Sequence, residues 1–197
     1  MPEPTPFADL IRRVRARDEA AAVELVRQYE PEIRRIARVR LASAGLRKLL
    51  DSTDICQSVL THFFVRVAAG QFDLEDPRQL LKLLVTMACN KVRDQVRKQN
   101  AQRRGDGRRA AGPEGLEGVA DPDAGPGRLV AAREIVEAVL GRLTADEREI
   151  VEERSAGRDW ATLAAERGVG AEALRKRQAR AIDRAARAAG IDEVSDV

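Results

Sequence analysis

A pair of helix-forming segments between Asp51 and Lys98 constrains the fold more than any other part of the chain. In the first segment, apolar side chains recur at every third or fourth position, as they do on the buried face of an amphipathic helix. This face consists of Ile55, Val59, Phe63 and Val67. Asp51, Ser52 or Thr53 can cap the start of this helix, and Gly70 is suited to end it.

We predict that the second helix begins at Pro77, because proline is well tolerated in the first turn of a helix. Its apolar band consists of Leu80, Leu81, Leu84, Val85, Ala88, Val92 and Val96, and its far end is basic. The segment before Pro77 is short and acidic. The sequence therefore predicts two antiparallel helices joined by an acidic turn, Gln71–Asp76.

Three more helices are predicted before this pair. Phe7–Arg17 has an amphipathic pattern, a second helix begins at Asp18, and Pro31 opens a third that ends at Gly45. Helices of this length are marginally stable alone in water. We therefore expect the five helices to pack as one unit.

The last third of the chain has the pattern of a helix-turn-helix. After a helix over Arg128–Leu143, Thr144 and Glu147 form a capping-box sequence that starts another helix. A short helix containing Trp160 is followed by a glycine-rich turn and a long basic helix, Ala171–Ala189. This order of a short helix, a tight turn and a longer basic helix is typical of DNA-binding helix-turn-helix units.

The stretch between the two helical parts is rich in Gly, Pro, Asp and Arg and has few side chains to bury, which predicts a flexible linker. Aromatic residues make up only 3% of the chain, so the cores must be aliphatic, which favours helices over sheets. We predict an all-α fold with two small helical domains. The segments are a bundle at 1–98, a linker at 99–127, a helix-turn-helix domain at 128–190 and an acidic tail at 191–197.

The distribution of charge indicates a polyanionic partner. Basic residues outnumber acidic ones in 78–110 and in 154–187, whereas acidic residues dominate the section between these two blocks. The last helix carries Arg175, Lys176, Arg177, Arg180, Arg184 and Arg187. From helix-turn-helix geometry, the set that faces a groove is Glu172, Arg175, Lys176 and Ala179. The alternative is an ordinary solvated basic face.

The far end of the Pro77 helix is a second candidate surface for nucleic acid. It carries Lys91, Arg93, Arg97 and Lys98. The neighbouring Asn90 could contact adenine with two hydrogen bonds or hold a base from single-stranded DNA. The alternative is that these cations only complement the dipole at the C-terminal end of a helix.

The sequence lacks the residue patterns that an enzyme would need. The single histidine, His62, lies within a predicted helix, and the chain has no phosphate-binding glycine loop and no metal-ligand spacing. Cys56 and Cys89 lie in predicted helices, so we expect reduced core thiols and a cytoplasmic protein. We expect no catalytic residue, no metal, no cofactor, no signal peptide and no membrane segment.

Motifs in both halves give the chain a resemblance to bacterial RNA polymerase sigma factors of the sigma-70 family, in the small extracytoplasmic-function (ECF) group. In the first half these motifs are Asp18–Ala21, Tyr29–Pro31, Asp54–Val59 and Ala88–Asp94 with Arg97. In the second half they are Leu143–Thr144, Glu147–Arg148, Trp160–Ala164, Gly168–Val169, Leu174–Arg177 and Arg180–Ala181. The order and spacing of these motifs extend the resemblance over nearly the whole chain, with region 2 first and region 4 last.

The resemblance implies roles for three sets of residues. Core polymerase would be bound by Asp51, Asp54 and Gln57. The −10 promoter element would be read and opened by the acidic turn and by Phe72, Asn90, Lys91, Arg93, Asp94, Arg97 and Lys98. The −35 element would be bound as duplex by Glu172, Arg175, Lys176, Arg177, Ala179 and Arg180. The implied partners are core RNA polymerase, promoter DNA and, as a further candidate, an anti-sigma protein.

The sequence departs from the family pattern at three places. Leu80 and Leu81 stand where an aromatic residue is common, so strand opening would depend on Phe72 or on backbone pockets. Gly170 replaces the usual serine cap, and Gln178 occupies a usually aliphatic position. Two other classes stay open: a stand-alone helix-turn-helix regulator of duplex DNA, and a helical adaptor that binds no DNA.

Overall fold

The computed structural model describes residues 6–45, 51–105 and 126–191, and every regular element in these ranges is an α-helix. The helices are α1 (Pro6–Arg15), α2 (Glu19–Ser43), α3 (Ser52–Ala68), α4 (Pro77–Gly105), α5 (Pro126–Leu140), α6 (Ala145–Ser155), α7 (Trp160–Glu166) and α8 (Ala171–Ala188). The all-α prediction is confirmed. Most of the predicted linker, from 106 to 125, and the acidic tail from 192 onward lie outside the described residues.

Helix α2 is continuous through Pro31, so the prediction of two separate helices in this region was wrong. Proline removes one helical hydrogen bond, but Pro31 lies on the exposed side of α2, where water can satisfy the freed carbonyl. The buried stripe continues through this point without interruption. It consists of Ala21, Leu25, Val26, Tyr29, Ile33, Ala37 and Leu41. Burial of this stripe stabilises one long helix in spite of the proline.

Helices α3 and α4 correspond to the predicted pair and pack against each other. The Asp51 side chain caps α3 by accepting a hydrogen bond from the Thr53 N–H (3.1 Å). Gly70, with φ +68°, follows the C-terminal cap of α3 and ends that helix. Helix α4 starts at Pro77 and continues past Lys98 to Gly105, into the segment predicted to be linker. Fully buried side chains from both helices meet in the core: Ile55, Phe63, Leu80, Leu84 and Met87.

The second half begins with α5, and α6 to α8 form the helix-turn-helix region. The predicted capping box is present at the start of α6, where Thr144 and Glu147 each accept a hydrogen bond from the other's backbone N–H. A compact cluster holds α6, α7 and α8 together. It consists of Ile150, Trp160, Leu163, Ala164 and Leu174.

The two halves contact each other through a shared hydrophobic cluster. Helices α5 and α8 pack against α3, so their apolar side chains extend the core of the first four helices. The residues from the second half are Val136, Val139, Leu140, Leu143, Val151, Ala181, Ile182, Ala185 and Ala186. The sequence did not predict that α5 and α8 pack on α3. An amphipathic pattern shows which face of a helix is buried, but it does not show which other helix covers that face.

Candidate nucleic-acid interface

Helices α7 and α8 form the helix-turn-helix, and local sequence explains each of its ends. The Asp159 carboxylate caps α7 by accepting a hydrogen bond from the Thr162 N–H (2.8 Å), and this bond holds the pKa of Asp159 below its ordinary value. Gly168 takes a positive φ of 65° in the turn. Gly170 caps α8 without a side-chain hydrogen bond, as expected from its replacement of a serine.

One face of α8 packs into the core and the opposite face is exposed. The buried residues are Leu174, Gln178, Ala181, Ile182, Ala185 and Ala186. In the predicted −35 set, Ala179 is half-buried and Glu172, Arg175, Lys176, Arg177 and Arg180 are exposed. The structure thus leaves five of these six residues accessible on the second helix of the motif.

The charges on this face are largely available to a ligand. Within the described part of the chain, Arg175, Arg177 and Arg180 have no ion-pair partner, whereas Lys176 lies 3.3 Å from the Glu172 carboxylate and both side chains are well exposed. An exposed pair of this kind contributes little free energy and opens readily. Arginine side chains without protein partners suit phosphate oxygens, which are fixed points of contact along a duplex.

The predicted −10 set on α4 is divided between the surface and the interior. Arg93, Arg97 and Lys98 are exposed, while Asp94 is half-buried and lies 3.9 Å from the Arg97 guanidinium. Asn90 is buried, and its side-chain oxygen accepts a hydrogen bond from Arg93 (3.0 Å).

Two other members of the −10 set are also buried. Lys91 is buried, with only 5% of its surface exposed to solvent. Phe72, in the turn before α4, is 9% exposed, and its ring stacks on Phe63 with the centroids 6.2 Å apart. In this arrangement, the surface of α4 offers cations to DNA, while Asn90, Lys91 and Phe72 are covered.

The predicted polymerase-binding residues lie at the exposed start of α3. Asp51, Asp54 and Gln57 follow each other at a spacing of three, which places them along one side of the helix, and all three are exposed. The hydrogen bond from the Thr53 N–H lowers the pKa of the Asp51 carboxyl, so this group is a carboxylate at neutral pH. The site is therefore a small, negatively charged, accessible patch.

Sequence reasoning missed a buried charged side chain with several polar partners, Arg154. Its side chain in α6 is only 3% exposed, and it bonds to the turn that follows α3. In the sequence, Arg154 follows two glutamates at the end of a polar helix, a pattern typical of solvent exposure. Nothing local signals its burial, because two of its partners, Gly70 and Asp73, come from the other half of the chain.

The histidine and the two cysteines of the sequence are covered to different degrees in the fold. His62 is buried, and its Nδ1 lies 2.6 Å from the Ser58 carbonyl, as in a structural core histidine. Cys56 is buried and Cys89 half-buried, both as free thiols. Within 6–45, 51–105 and 126–191 there is no group of three metal-ligating side chains. The same ranges contain no helix with both the length and the apolar character needed to cross a bilayer.

A comparison of the chain with known protein families identifies the family to which it belongs. A family model described as ECF sigma factor matches residues 4–188, which includes all eight helices. The chain belongs to the ECF sigma factor family. Neither the curated proteins nor the solved structures contain a significant match to it.

Membership confirms the resemblance predicted from the sequence motifs. This ECF sigma factor therefore has a role in transcription initiation and is a DNA-binding helical protein. The family implies RNA polymerase and promoter DNA as partners, and anti-sigma proteins are typical of it. The roles of individual residues stay predictions.

Proposed function

We propose that this ECF sigma factor binds core RNA polymerase through the start of α3 and directs it to promoters with −10 and −35 elements. In this proposal α8 binds the −35 element as duplex, and the turn 71–76 with α4 reads and opens the −10 element. Bond formation belongs to the polymerase, so the sigma factor supplies the promoter address and needs no cofactor.

The exposed cationic face of α8 is the observation that carries this proposal. An α-helix fits the major groove of B-form DNA, and its first turns approach the base edges while later residues meet phosphates. Glu172, Arg175 and Lys176 occupy the first turns of α8, and Arg180 lies further along. On the packed side of α8, Leu174 joins the cluster with α6 and α7, and the later apolar residues join the shared cluster with the first half.

The exposed patch at the start of α3 supports the polymerase contact. Asp51, Asp54 and Gln57 are accessible while the rest of α3 is almost entirely buried. A short acidic patch at the end of a packed helix suits a basic surface on a partner, and charge complementarity raises the association rate.

The test is capture of purified core RNA polymerase by the full-length chain, followed by run-off transcription on genomic fragments. We expect stoichiometric binding and new start sites. Asp54→Ala combined with Gln57→Ala should weaken polymerase binding about tenfold, since two lost polar contacts cost roughly 1 kcal/mol or slightly more in total. Helical content should not change, because both side chains are exposed.

The matched control removes the same two kinds of side chain from another exposed helix face. Glu24→Ala combined with Gln28→Ala on α2 should leave polymerase binding unchanged. A wild-type chain that is folded and binds duplex DNA but ignores polymerase would contradict the proposal. Such a result would favour the stand-alone helix-turn-helix regulator.

A further inference from the structure

One carboxylate in α6, that of Glu153, joins two arginine side chains of the helix-turn-helix region. Arg158, in the turn before α7, donates from its Nη1 to Oε1 of Glu153 at 2.5 Å. Arg167, at the C-terminal cap of α7, donates from its Nη2 to Oε2 of the same carboxylate, also at 2.5 Å. Both oxygens of Glu153 are therefore occupied, each by a different guanidinium group.

Arg158 has further partners that fix its position. Its Nη2 donates to the Glu166 carboxylate near the end of α7. The hydrogen bond to Glu166, and then attraction by both carboxylates, raise the pKa of Arg158 above its ordinary value. The Arg158 carbonyl accepts a hydrogen bond (2.6 Å) from the Arg154 guanidinium, which lies 4.7 Å from the centre of the Trp160 ring. The network thus connects the end of α6, the turn that follows it and the end of α7.

The connection between Glu153 and Arg167 is partly removed from water. The two side chains are 20% and 22% exposed. Water and salt screen such a pair less than a fully exposed one, and loss of one partner would leave the other charge uncompensated. A further carboxylate, that of Glu149, lies 3.9 Å from Arg167 and is 65% exposed, so it is the weaker partner. Glu153 is therefore the principal anchor of Arg167.

Arg167 lies directly before the turn that leads into α8. Gly170, which starts α8, supplies no side-chain cap. The position of the first turns of α8 therefore depends on residues 168–170 and on the anchored residue that precedes them. These first turns carry Glu172, Arg175 and Lys176, the side chains expected to approach the base edges.

The later part of α8 is attached to α6 at a different point. The Gln178 side chain donates to the Glu147 carbonyl at 2.8 Å, and the Arg184 guanidinium forms an ion pair with the Glu147 carboxylate at 2.7 Å. Glu147 and Glu153 are about 9 Å apart along α6, at 1.5 Å per residue. Two attachments at separate points constrain the direction of α8 more than a single contact does.

We propose that Glu153 is a positioning residue for −35 recognition, which sets the orientation of the first turns of α8 through Arg167 and Arg158. This inference rests on the −35 role proposed above for α8. Glu153 does not contact DNA in this scheme and acts through the turn between α7 and α8. A recognition helix must hold its side chains within hydrogen-bonding distance of the base edges, so a small change in its direction loses contacts.

The substitution Glu153→Gln separates this role from an effect of charge. It removes one negative charge, and a more positive protein should bind a polyanion more tightly. We expect the opposite result, a loss of −35 duplex affinity of about fivefold, at the lower end of the range usual for coupling between sites. The slope of log affinity against log salt should not change, because no cation that contacts phosphate is removed.

Two further variants complete the set. Glu152→Gln is the matched control, because it makes the same change of charge at the neighbouring position, where the side chain is exposed and has no ion-pair partner in the described ranges. It should bind the −35 duplex at least as tightly as the wild-type chain. Glu153→Asp keeps the charge but is one methylene group shorter, so its carboxylate cannot reach both arginines. Its affinity should lie between those of the wild-type chain and Glu153→Gln.

Two readouts apply to the full-length wild-type chain and the three variants. Fluorescence anisotropy of the polymerase-bound chain measures affinity for a labelled −35 duplex from run-off mapping, at several salt concentrations. Hydrogen exchange with mass spectrometry measures, without DNA, the protection of residues 168–176. We expect faster exchange there in Glu153→Gln and Glu153→Asp than in Glu152→Gln. Circular dichroism checks that each variant is folded.

The inference is overturned if Glu153→Gln is folded and binds the duplex as tightly as Glu152→Gln. It is also overturned if hydrogen exchange of residues 168–176 is the same in these two variants, since the network would then not hold the turn. If Glu153→Gln does not fold, wild-type affinity and wild-type exchange in Glu153→Asp overturn the inference instead. Failure of the proposed function has a different result, because the wild-type chain itself would then not bind the −35 duplex.

Discussion

Gln178 is a polar residue at a core position of α8, with no exposed surface. Its side-chain nitrogen donates to the Glu147 carbonyl in α6 at 2.8 Å, so the hydrogen bond ties α8 to the start of α6. The Glu147 carboxylate also forms an ion pair with the Arg184 guanidinium, with an N–O distance of 2.7 Å. The residue that departs from the usual aliphatic pattern therefore keeps the packing role of that position and adds a polar contact.

We expect Gln178→Ala to destabilise the chain by about 2–3 kcal/mol, because it removes a hydrogen bond and leaves a cavity. Gln178→Leu should cost less than about 1.5 kcal/mol, since it keeps the volume, and the Glu147 carbonyl still has its place in the helical pattern of α6. Urea unfolding measures both values. Equal losses for the two variants would show that the hydrogen bond, not the volume, stabilises the site.

Single residues also mark the limit of what the sequence predicts. The inward face of α8 was predicted because Leu174, Ala181 and Ile182 recur at helical spacing. The burial of Arg154 was not predicted, since it depends on Gly70 and Asp73, which are distant in sequence. Periodicity identifies the side of a helix that is packed, whereas long-range polar partners leave no periodic pattern.

At the scale of elements, α8 and α4 have separate predicted tasks. Arg175→Ala combined with Lys176→Ala should weaken binding of −35 duplex and reduce the slope of log affinity against log salt by about two, one for each lost cation. Arg93→Ala combined with Arg97→Ala, which removes two exposed cations of α4, should instead weaken binding of the −10 single strand. Titrations of polymerase-bound chain with both probes, at several salt concentrations, measure the two effects.

The control for these variants is Arg38→Ala combined with Arg40→Ala on α2. It removes two exposed cations from a surface assigned to neither promoter element, so it isolates the effect of net charge. Equal losses with both probes, for both experimental pairs, would contradict the division of tasks.

Helix boundaries show which local signals were sufficient. Gly70 and Pro77 were predicted correctly, and Asp51 is the cap among the three candidates Asp51, Ser52 and Thr53, because each acts on backbone groups close to it in sequence. Pro31 was misread, because the buried stripe on both sides of it outweighs the loss of one hydrogen bond. The end of α4 was also placed too early, since 99–105 is polar on all sides and carries no apolar period.

At the scale of the whole molecule, the shared cluster makes the stability of each half depend on the other. We expect the wild-type chain to unfold in urea in one transition, with circular dichroism and scattering curves that coincide. Gly70→Ala places a methyl group against Arg154 of the second half, so it should weaken the contact between the halves and separate the two curves. Gly45→Ala, at a similar φ but with no atom near the added methyl group, should not. Separate transitions in the wild-type chain would show that the halves are independent.

The chain contains a single tryptophan, Trp160, and it lies under the guanidinium of Arg154 at the boundary between the halves. Its indole is 7% exposed, so its emission reports a dry, positively charged environment. Departure of the cation and entry of water would shift the emission to longer wavelength without any added label. The unmodified protein therefore carries its own optical probe, and mixing it with polymerase in a stopped-flow fluorimeter would reveal whether and how fast docking changes the surroundings of Trp160.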